Sequence, residues 1–302
     1  MEVIFEHGNE EIAKVYALRM DDGSAVECVE SVQPPISRDK KWVLIISTLK
    51  GCPVKCSICD AGLYYRGKLS WKEMLAQIDF MVSRRYPDRR VPAEKFKIQF
   101  ARMGDPAFND DVPLLLEKLP DLFNAPGLMP SVSTIAPASC GLWIENLKRA
   151  VHENYSPGQF QMQFSIHTTD FEKRRELIHA KTLTFSEMAI AGESIFREGD
   201  RKITLNFAAV KGYPLDGLEL RKYFNPEKFL VKLTPVNPTR NMMNNGLCSL
   251  IDPDDPKSNE EIVQSLSREG WEVILSIGEL EENQIGSNCG MYAICDETKD
   301  KL

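Results

Sequence analysis

The sequence predicts an α/β fold whose centre is a parallel sheet with helices on its outer face. Two observations carry this. From residue 42 onward, short apolar runs rich in β-branched and aromatic residues alternate with longer amphipathic stretches. Several of those stretches open on helix-capping sequences, such as Ser70-x-x-Glu73, Thr169-x-x-Glu172, Thr184-x-x-Glu187 and, with Asp as cap, Asp216-x-x-Glu219. The runs lie near 42–47, 96–103, 129–134, 160–166, 203–210 and 229–235, with helices near 70–86, 109–122, 142–153, 169–198 (broken) and 217–224. Six such β/α units predict a partial (β/α)6 TIM barrel over residues 42–236.

Residues 1–41 form a short N-terminal β extension in this reading. Lys14–Met20 and Ala25–Ser31 read as two strands around an Asp-Gly turn, and 33–41 is a polar, proline-bearing connector. Residues 237–302 form a C-terminal extension. It begins with an irregular segment from Asn237 to Lys257, continues with a helix from Ser258-x-x-Glu261, and adds strand-like runs at Trp271–Ile277 and Met291–Cys295.

Composition bounds the function. Hydrophobic content of 43% and charged content of 27% over 302 residues are those of an ordinary globular protein. No apolar run is long enough to span a bilayer, and Met1–His7 lacks the regions of a signal peptide, so a cytoplasmic protein without a membrane partner is expected. Eight unevenly clustered cysteines fit metal ligation in a reducing compartment. A net charge of −7 disfavours indiscriminate nucleic-acid binding but leaves room for a local basic groove.

The chemistry centres on Gly51-Cys52-Pro53-Val54-Lys55-Cys56-Ser57-Ile58-Cys59, a C-x3-C-x2-C triplet in the loop that leaves the first barrel strand. Zinc usually takes four closed ligands, and a knuckle recruiting a distant fourth cysteine is the competing reading. A cubane iron–sulfur cluster held by only three thiolates leaves one iron open. Other strand ends are also polar: Gly104-Asp105-Pro106, Ser133-Thr134, Ser165-Ile166-His167 and Asn237-Pro238. Each alone is unremarkable. Together at successive strand ends they offer a carboxylate or backbone for an ammonium, hydroxyls for a ribose and an amide for a base or carboxylate.

The triplet is the signature of radical S-adenosylmethionine (SAM) enzymes, and the chain resembles the RlmN/Cfr type, which methylates an adenine carbon in RNA. The resemblance rests on Cys52, Cys56 and Cys59, Gly104-Asp105-Pro106, Ser133-Thr134, Ser165-Ile166-His167, Lys211-Gly212, Pro235-Val-Asn237-Pro238 and Asn288-Cys289-Gly290, and covers about residues 14 to 295. It implies a [4Fe–4S] cluster on the three cysteines and SAM held by Gly104, Asp105, Ser133, Ser165, Ile166, His167 and Asn237. It also implies Cys289 as methyl carrier, Glu27 as proton acceptor, a flavodoxin- or ferredoxin-like electron donor and an RNA substrate. Two departures stand out. The family's resolving cysteine, seven residues before the first cluster cysteine, is Ile45 here, and residues 1–41 are expected to be too few for the family's N-terminal RNA-binding domain. Cys140 and Cys248 are the candidates to replace the missing thiol, with Cys248 preferred for its long loop, and Glu279–Glu282 is acidic where the family is basic. The alternative is a different radical SAM reaction on a small molecule, peptide or free nucleotide; a zinc-binding or electron-transfer protein is the non-enzymatic one.

Overall fold

The structure, a computed structural model, describes residues 1–279 and 281–287. Its frame is one ten-stranded sheet. Strands β1 (Glu2–Gly8), β2 (Ala13–Arg19), β3 (Ala25–Ser31) and β4 (Trp42–Ile46) pair antiparallel in that order. A small hairpin follows, β5 (Leu49–Gly51) with β6 (Tyr65–Lys68), and encloses the cysteine triplet. The sheet then continues with β7 (Phe96–Phe100), β8 (Leu128–Thr134), β9 (Gln161–Ser165), β10 (Ile203–Ala208), β11 (Phe229–Thr234) and β12 (Val273–Leu275). From β4 to β12 every neighbouring pair in the sheet is parallel, and the order never reverses. Right-handed crossovers between successive parallel neighbours put their helices on one face.

Those helices are α1 (Trp71–Arg85), α2 (Asp111–Leu122), α3 (Gly141–Asn154), α4 (Phe171–Leu177), α5 (Phe185–Ile195) and α6 (Gly217–Arg221). Helix α1 shows why they form. Ser70 and Glu73 cap its start reciprocally, Met74, Ile78, Met81 and Val82 are fully buried, and Arg84 and Arg85 complement the dipole at its end. Strand alternation sends Phe96, Ile98 and Phe100 of β7 into the helix-side core and leaves Lys97 and Gln99 on the opposite face. That second face is polar, since Lys97 donates to Gln161 at 2.7 Å and Gln163 to Ser131 at 3.2 Å.

The remaining elements are α7 (Arg240–Asn244), α8 (Pro256–Arg268) and α9 (Glu281–Ile285). Helix α9 brings the chain back to its beginning: Asn9 donates to Glu281 at 2.9 Å, and Ile285 packs with Ala13, Val15 and Val29. Among the described residues no helix is long and apolar enough to cross a membrane.

Several sequence expectations change. The N-terminal segment has three strands, not two; β1 lies mostly exposed at the sheet edge and so lacks an apolar pattern. The Thr169 capping box does not form, because its hydroxyl accepts from the Asp216 N–H; Asp170 caps α4 instead. Helix α8 starts at Pro256 behind the Asp255 cap, which leaves Ser258 within the first turn. The segment expected to be irregular from Asn237 contains α7, and the run from Trp271 contributes only the three-residue β12. Met291–Cys295 lies outside the described residues.

Helix α1 is tied to the end of β4 by Gln77, whose amide accepts from Ser47 N–H at 2.9 Å and donates to Ser47 C=O at 3.0 Å. Gln77→Leu strands both buried groups and should cost about 2–4 kcal/mol. Denaturant unfolding measures this, and an unchanged midpoint would show that Ser47 finds other partners.

Candidate active site

The C-terminal ends of the parallel strands meet the cysteine loop around a cavity of about 390 Å3. Cys52, Cys56 and Cys59 all line it, together with Gly104, Asp105, Ser165, His167 and Asn237. Residues some two hundred positions apart in sequence thus share one space, as their places at strand ends predict.

The cysteine loop is held from the far end of the chain. Asp60, in the single turn of 3-10 helix after Cys59, accepts from the backbone N–H groups of Arg240 at 3.0 Å and Asn241 at 2.9 Å. Thr239 donates to Ile58 C=O at 3.1 Å, Asn241 to Cys59 C=O at 2.8 Å and Asn245 to Ser57 C=O at 3.1 Å. Gly51 has φ of 84°, and a Cβ there would stand 2.0 Å from the Tyr64 carbonyl oxygen. Lys55, between the first two cysteines, is also left-handed, at φ 58°. Burial, with neighbouring Cys59 and Asp105, pushes the Cys52 thiol up to about 12; burial, with Cys59 and Cys52, pushes Cys56 well above the usual thiol range. These thiols feel one another and need a cationic guest to ionise. Among the described residues no three Cys, His, Asp or Glu side chains are gathered closely enough for a single metal ion. The three thiols border a wider space instead.

Asp105 is buried, and burial pushes its carboxyl up to about 6. One oxygen accepts from Thr134 at 2.7 Å and Ala107 N–H at 2.9 Å, the other from Ile135 N–H at 2.6 Å. A carboxylate offers about four acceptor directions, so one remains. His167 has φ of 65°. Its Nδ1 accepts from Ala208 N–H at 3.1 Å, which puts the proton on Nε2, and burial followed by nearby Arg174 lowers its pKa to about 3.

Three sequence-predicted residues do not reach the cavity. Ile166 follows cavity-lining Ser165 on the strand path and is fully buried in the helix-side core. Ser133 stays half-buried in β8, opposite Gln163, and its neighbour Thr134 makes the bond to Asp105. Glu27 is fully buried behind Arg102, which donates to it at 3.1 and 2.6 Å and itself lines the cavity. Cys28, its neighbour, faces the opposite way into the core. Cys140 is buried at the start of α3, Cys248 is exposed, and neither lines the cavity. Cys289 lies outside the described residues.

Sequence reasoning missed two arginines. Arg102 also donates to the carbonyls of Gly286, at 2.7 Å, and Ser287, anchoring the segment that leads to residue 288. Arg174, 1% exposed, donates to the carbonyls of Ile166, Ile135 and Ser165 and to the Thr182 hydroxyl, tying the ends of β8 and β9 together.

Arg174→Met should lower stability by at least about 3 kcal/mol, since several buried carbonyls lose a charged donor; Arg174→Lys should restore only part, because one ammonium cannot span the four acceptors. Denaturant titration of both variants reads this, and full recovery by lysine would refute the fork geometry. His167, with its pKa lowered from 6.5 to about 3, adds stability that is complete above about pH 6.5 and is lost as pH falls toward 3. Its Cε1 proton resonance should therefore stay fixed between pH 5 and 8.

No protein-family model matches the chain. It is 26% identical over 231 residues to a protein named probable dual-specificity RNA methyltransferase RlmN from Petrotoga mobilis, covering 74% of this chain and 60% of that one. Proteins of the same name from Syntrophomonas wolfei and Pseudothermotoga lettingae are 27% identical over 174 residues and 24% over 229, covering 55% and 74% of this chain and 45% and 62% of theirs. The chain thus spans less than two thirds of these relatives. In fold it superposes on a radical SAM methyltransferase from Sphaerobacter thermophilus with a TM-score of 0.70 at 19% identity, over 91% of this chain and 76% of that one. It also superposes on SuiB from Streptococcus suis with a TM-score of 0.50 at 15% identity, over 78% and 49%. The chain shares the mixed α/β fold of a radical SAM methyltransferase, and its sequence resembles the RlmN-type radical SAM RNA methyltransferases.

Proposed function

We propose that this chain is a radical SAM enzyme and that it carries out RlmN/Cfr-like methyl transfer to a nucleic-acid base. The observation that carries the first part is that all three thiols of C-x3-C-x2-C border the same cavity as Gly104, Asp105, Ser165, His167 and Asn237. The sheet would curve as a partial barrel over residues 42–236, with 1–41 extending it and 237–302 closing its mouth. The donor set fits a [4Fe–4S] cluster better than zinc. Three thiols bordering a wide space suit separate irons of one cubane, whereas zinc wants four ligands at about 2.0–2.3 Å from one point. When bound, cluster and SAM would supply one-electron cleavage of a sulfonium and a 5′-deoxyadenosyl radical.

The chain's own residues then have distinct tasks. Cys52, Cys56 and Cys59 would hold the cluster from a loop clamped by Asp60 and the 239–245 segment. Asp105 would offer its remaining acceptor direction, and Gly104 its backbone, to the SAM ammonium. Ser165 and the Nε2–H of neutral His167 would face the nucleoside part, and Asn237 would bind from the opposite wall. Gly104, with φ of 85°, lets this loop pass Leu49, whose Cβ would stand 2.4 Å from an added Cβ. Glu27, ion-paired with Arg102, would hold that arginine in place and through it the carbonyls of Gly286 and Ser287; it would be a positioning residue before it is a base. Cys289 remains the candidate methyl carrier, and an electron donor of flavodoxin or ferredoxin type is required.

A second reading, radical chemistry on a small molecule or free nucleotide, gains from Ile45. It stands in β4 opposite Val29 and Gln99, where no thiol exchange is available.

Anaerobic reconstitution tests the cluster: about four irons per chain are expected, lost when Cys52, Cys56 or Cys59 becomes alanine and kept when Cys140 or Cys248 does. Full iron loading in the triple alanine variant would overturn the assignment. Turnover with methyl-labelled SAM separates the two chemistries. Label on Cys289 supports the methyl-carrier route, and a bare thiol throughout turnover selects the other.

A further inference from the structure

The cavity continues past the residues assigned above to a wall formed by Asn206, Lys232, Ser276 and Glu282. Lys232 sits in β11 between Asn206 of β10 and Ile274 of β12 in parallel register, and Ser165 of β9 pairs with Asn206. Serine, asparagine and lysine therefore form one row across three strands of the polar face. The Lys232 ammonium and the Asn206 side-chain amide make no hydrogen bond or ion pair to any described residue. Deeper on the same face Lys97, 9% exposed, has the neutral Gln161 as its side-chain partner among the described residues. Lys41, Lys95 and Arg201 lie within electrostatic reach of Lys97, and Lys41 also of Lys232. Among the described residues the carboxylate within electrostatic reach of Lys232 is Glu282 on α9, which burial pushes toward the neutral form.

A positive charge partly withdrawn from water and lacking a counterion is costly, and Lys232, half-buried in the cavity wall, has no hydrogen-bond or ion-pair partner among the described residues. A ligand bearing negative charge would offset that cost. Resting on the radical SAM reading above, we propose that the Lys232–Asn206 wall is a substrate subsite that receives an oxyanion, a phosphate or carboxylate group, of the molecule on which the radical acts. Lys232 supplies the charge, and Asn206, one strand away, supplies a fixed donor. The row starts at Ser165, which would face SAM, and runs away from it through Asn206 to Lys232, so the substrate would lie beside SAM with its anionic end against β11. Lysine suits this task because a flexible point charge tolerates either oxyanion, whereas a guanidinium fork selects planar bidentate partners.

The test uses protein carrying its reconstituted cluster and saturated with SAM, so that nucleosides cannot occupy the SAM positions. Two probe pairs differ only in charge: adenosine 5′-monophosphate against adenosine, and benzoate against benzamide. Calorimetric titration should show the charged member of at least one pair bound about tenfold or more tightly, and the pair that responds distinguishes phosphate from carboxylate. Lys232→Met should abolish that preference and Lys232→Arg keep part of it, with iron content and SAM affinity unchanged in both. Equal binding of charged and neutral members, no binding of any probe, or a preference that survives Lys232→Met would each overturn the subsite. Failure to load iron or bind SAM counts separately against the radical SAM reading, and the charge preference is then measured on the protein as isolated.

Discussion

Everything at the cavity depends on the grip of Asp60 on the first turn of α7. The nine residues from Gly51 to Cys59 contain a glycine and a lysine in left-handed conformation and no ladder of their own beyond the short β5–β6 hairpin. Holding such a loop in one shape costs about 1–2 kcal/mol of backbone entropy per residue. The side chains that offset it come from Thr239, Asn241 and Asn245, with the Asp60 carboxylate returning two bonds to the backbone there. The two segments order each other. Neither the cysteine loop nor α7, five residues long, is stable by itself.

Two buried arginines complete the frame, and each answers a shortage of backbone partners. Strand ends and loops expose carbonyls that no ladder satisfies. Arg174 collects those of Ile135, Ser165 and Ile166. Arg102 collects those of Gly286 and Ser287 while Glu27 balances its charge. A guanidinium suits both places because its donors are fixed in a plane and reach several acceptors at once.

This explains which parts of the molecule were legible in the sequence. The parallel order of β4 to β11 followed from alternating runs and caps, and the cysteine triplet and polar strand ends pointed to residues that share the cavity, Ser133 and Ile166 excepted. Elements governed by tertiary contacts did not. Thr169 is a good cap by composition, but its hydroxyl is taken by Asp216 N–H from another loop. Strand β1 has no apolar stripe because only β2 covers it. Ile166 belongs to a word that resembles a ligand motif, yet alternation turns its side chain to the core while Ser165 faces the cavity. Arg102 and Arg174 carry no local signal, since carbonyls brought together by folding define their roles.

Charge shows the same limit in another form. A net charge of −7 disfavours indiscriminate nucleic-acid binding, an argument that concerns the solvated surface. It does not hold inside the sheet. Lys97 and Lys232 occupy alternate-face positions that a strand pattern assigns to the interior, and among the described residues neither has an acidic hydrogen-bond partner. Coulomb interactions are strengthened where water is partly withdrawn, so a charge there would weigh more in recognition than one on the open surface. The sign of a binding site is set by the few charges that the fold withdraws from solvent, and the composition of the whole chain does not report it.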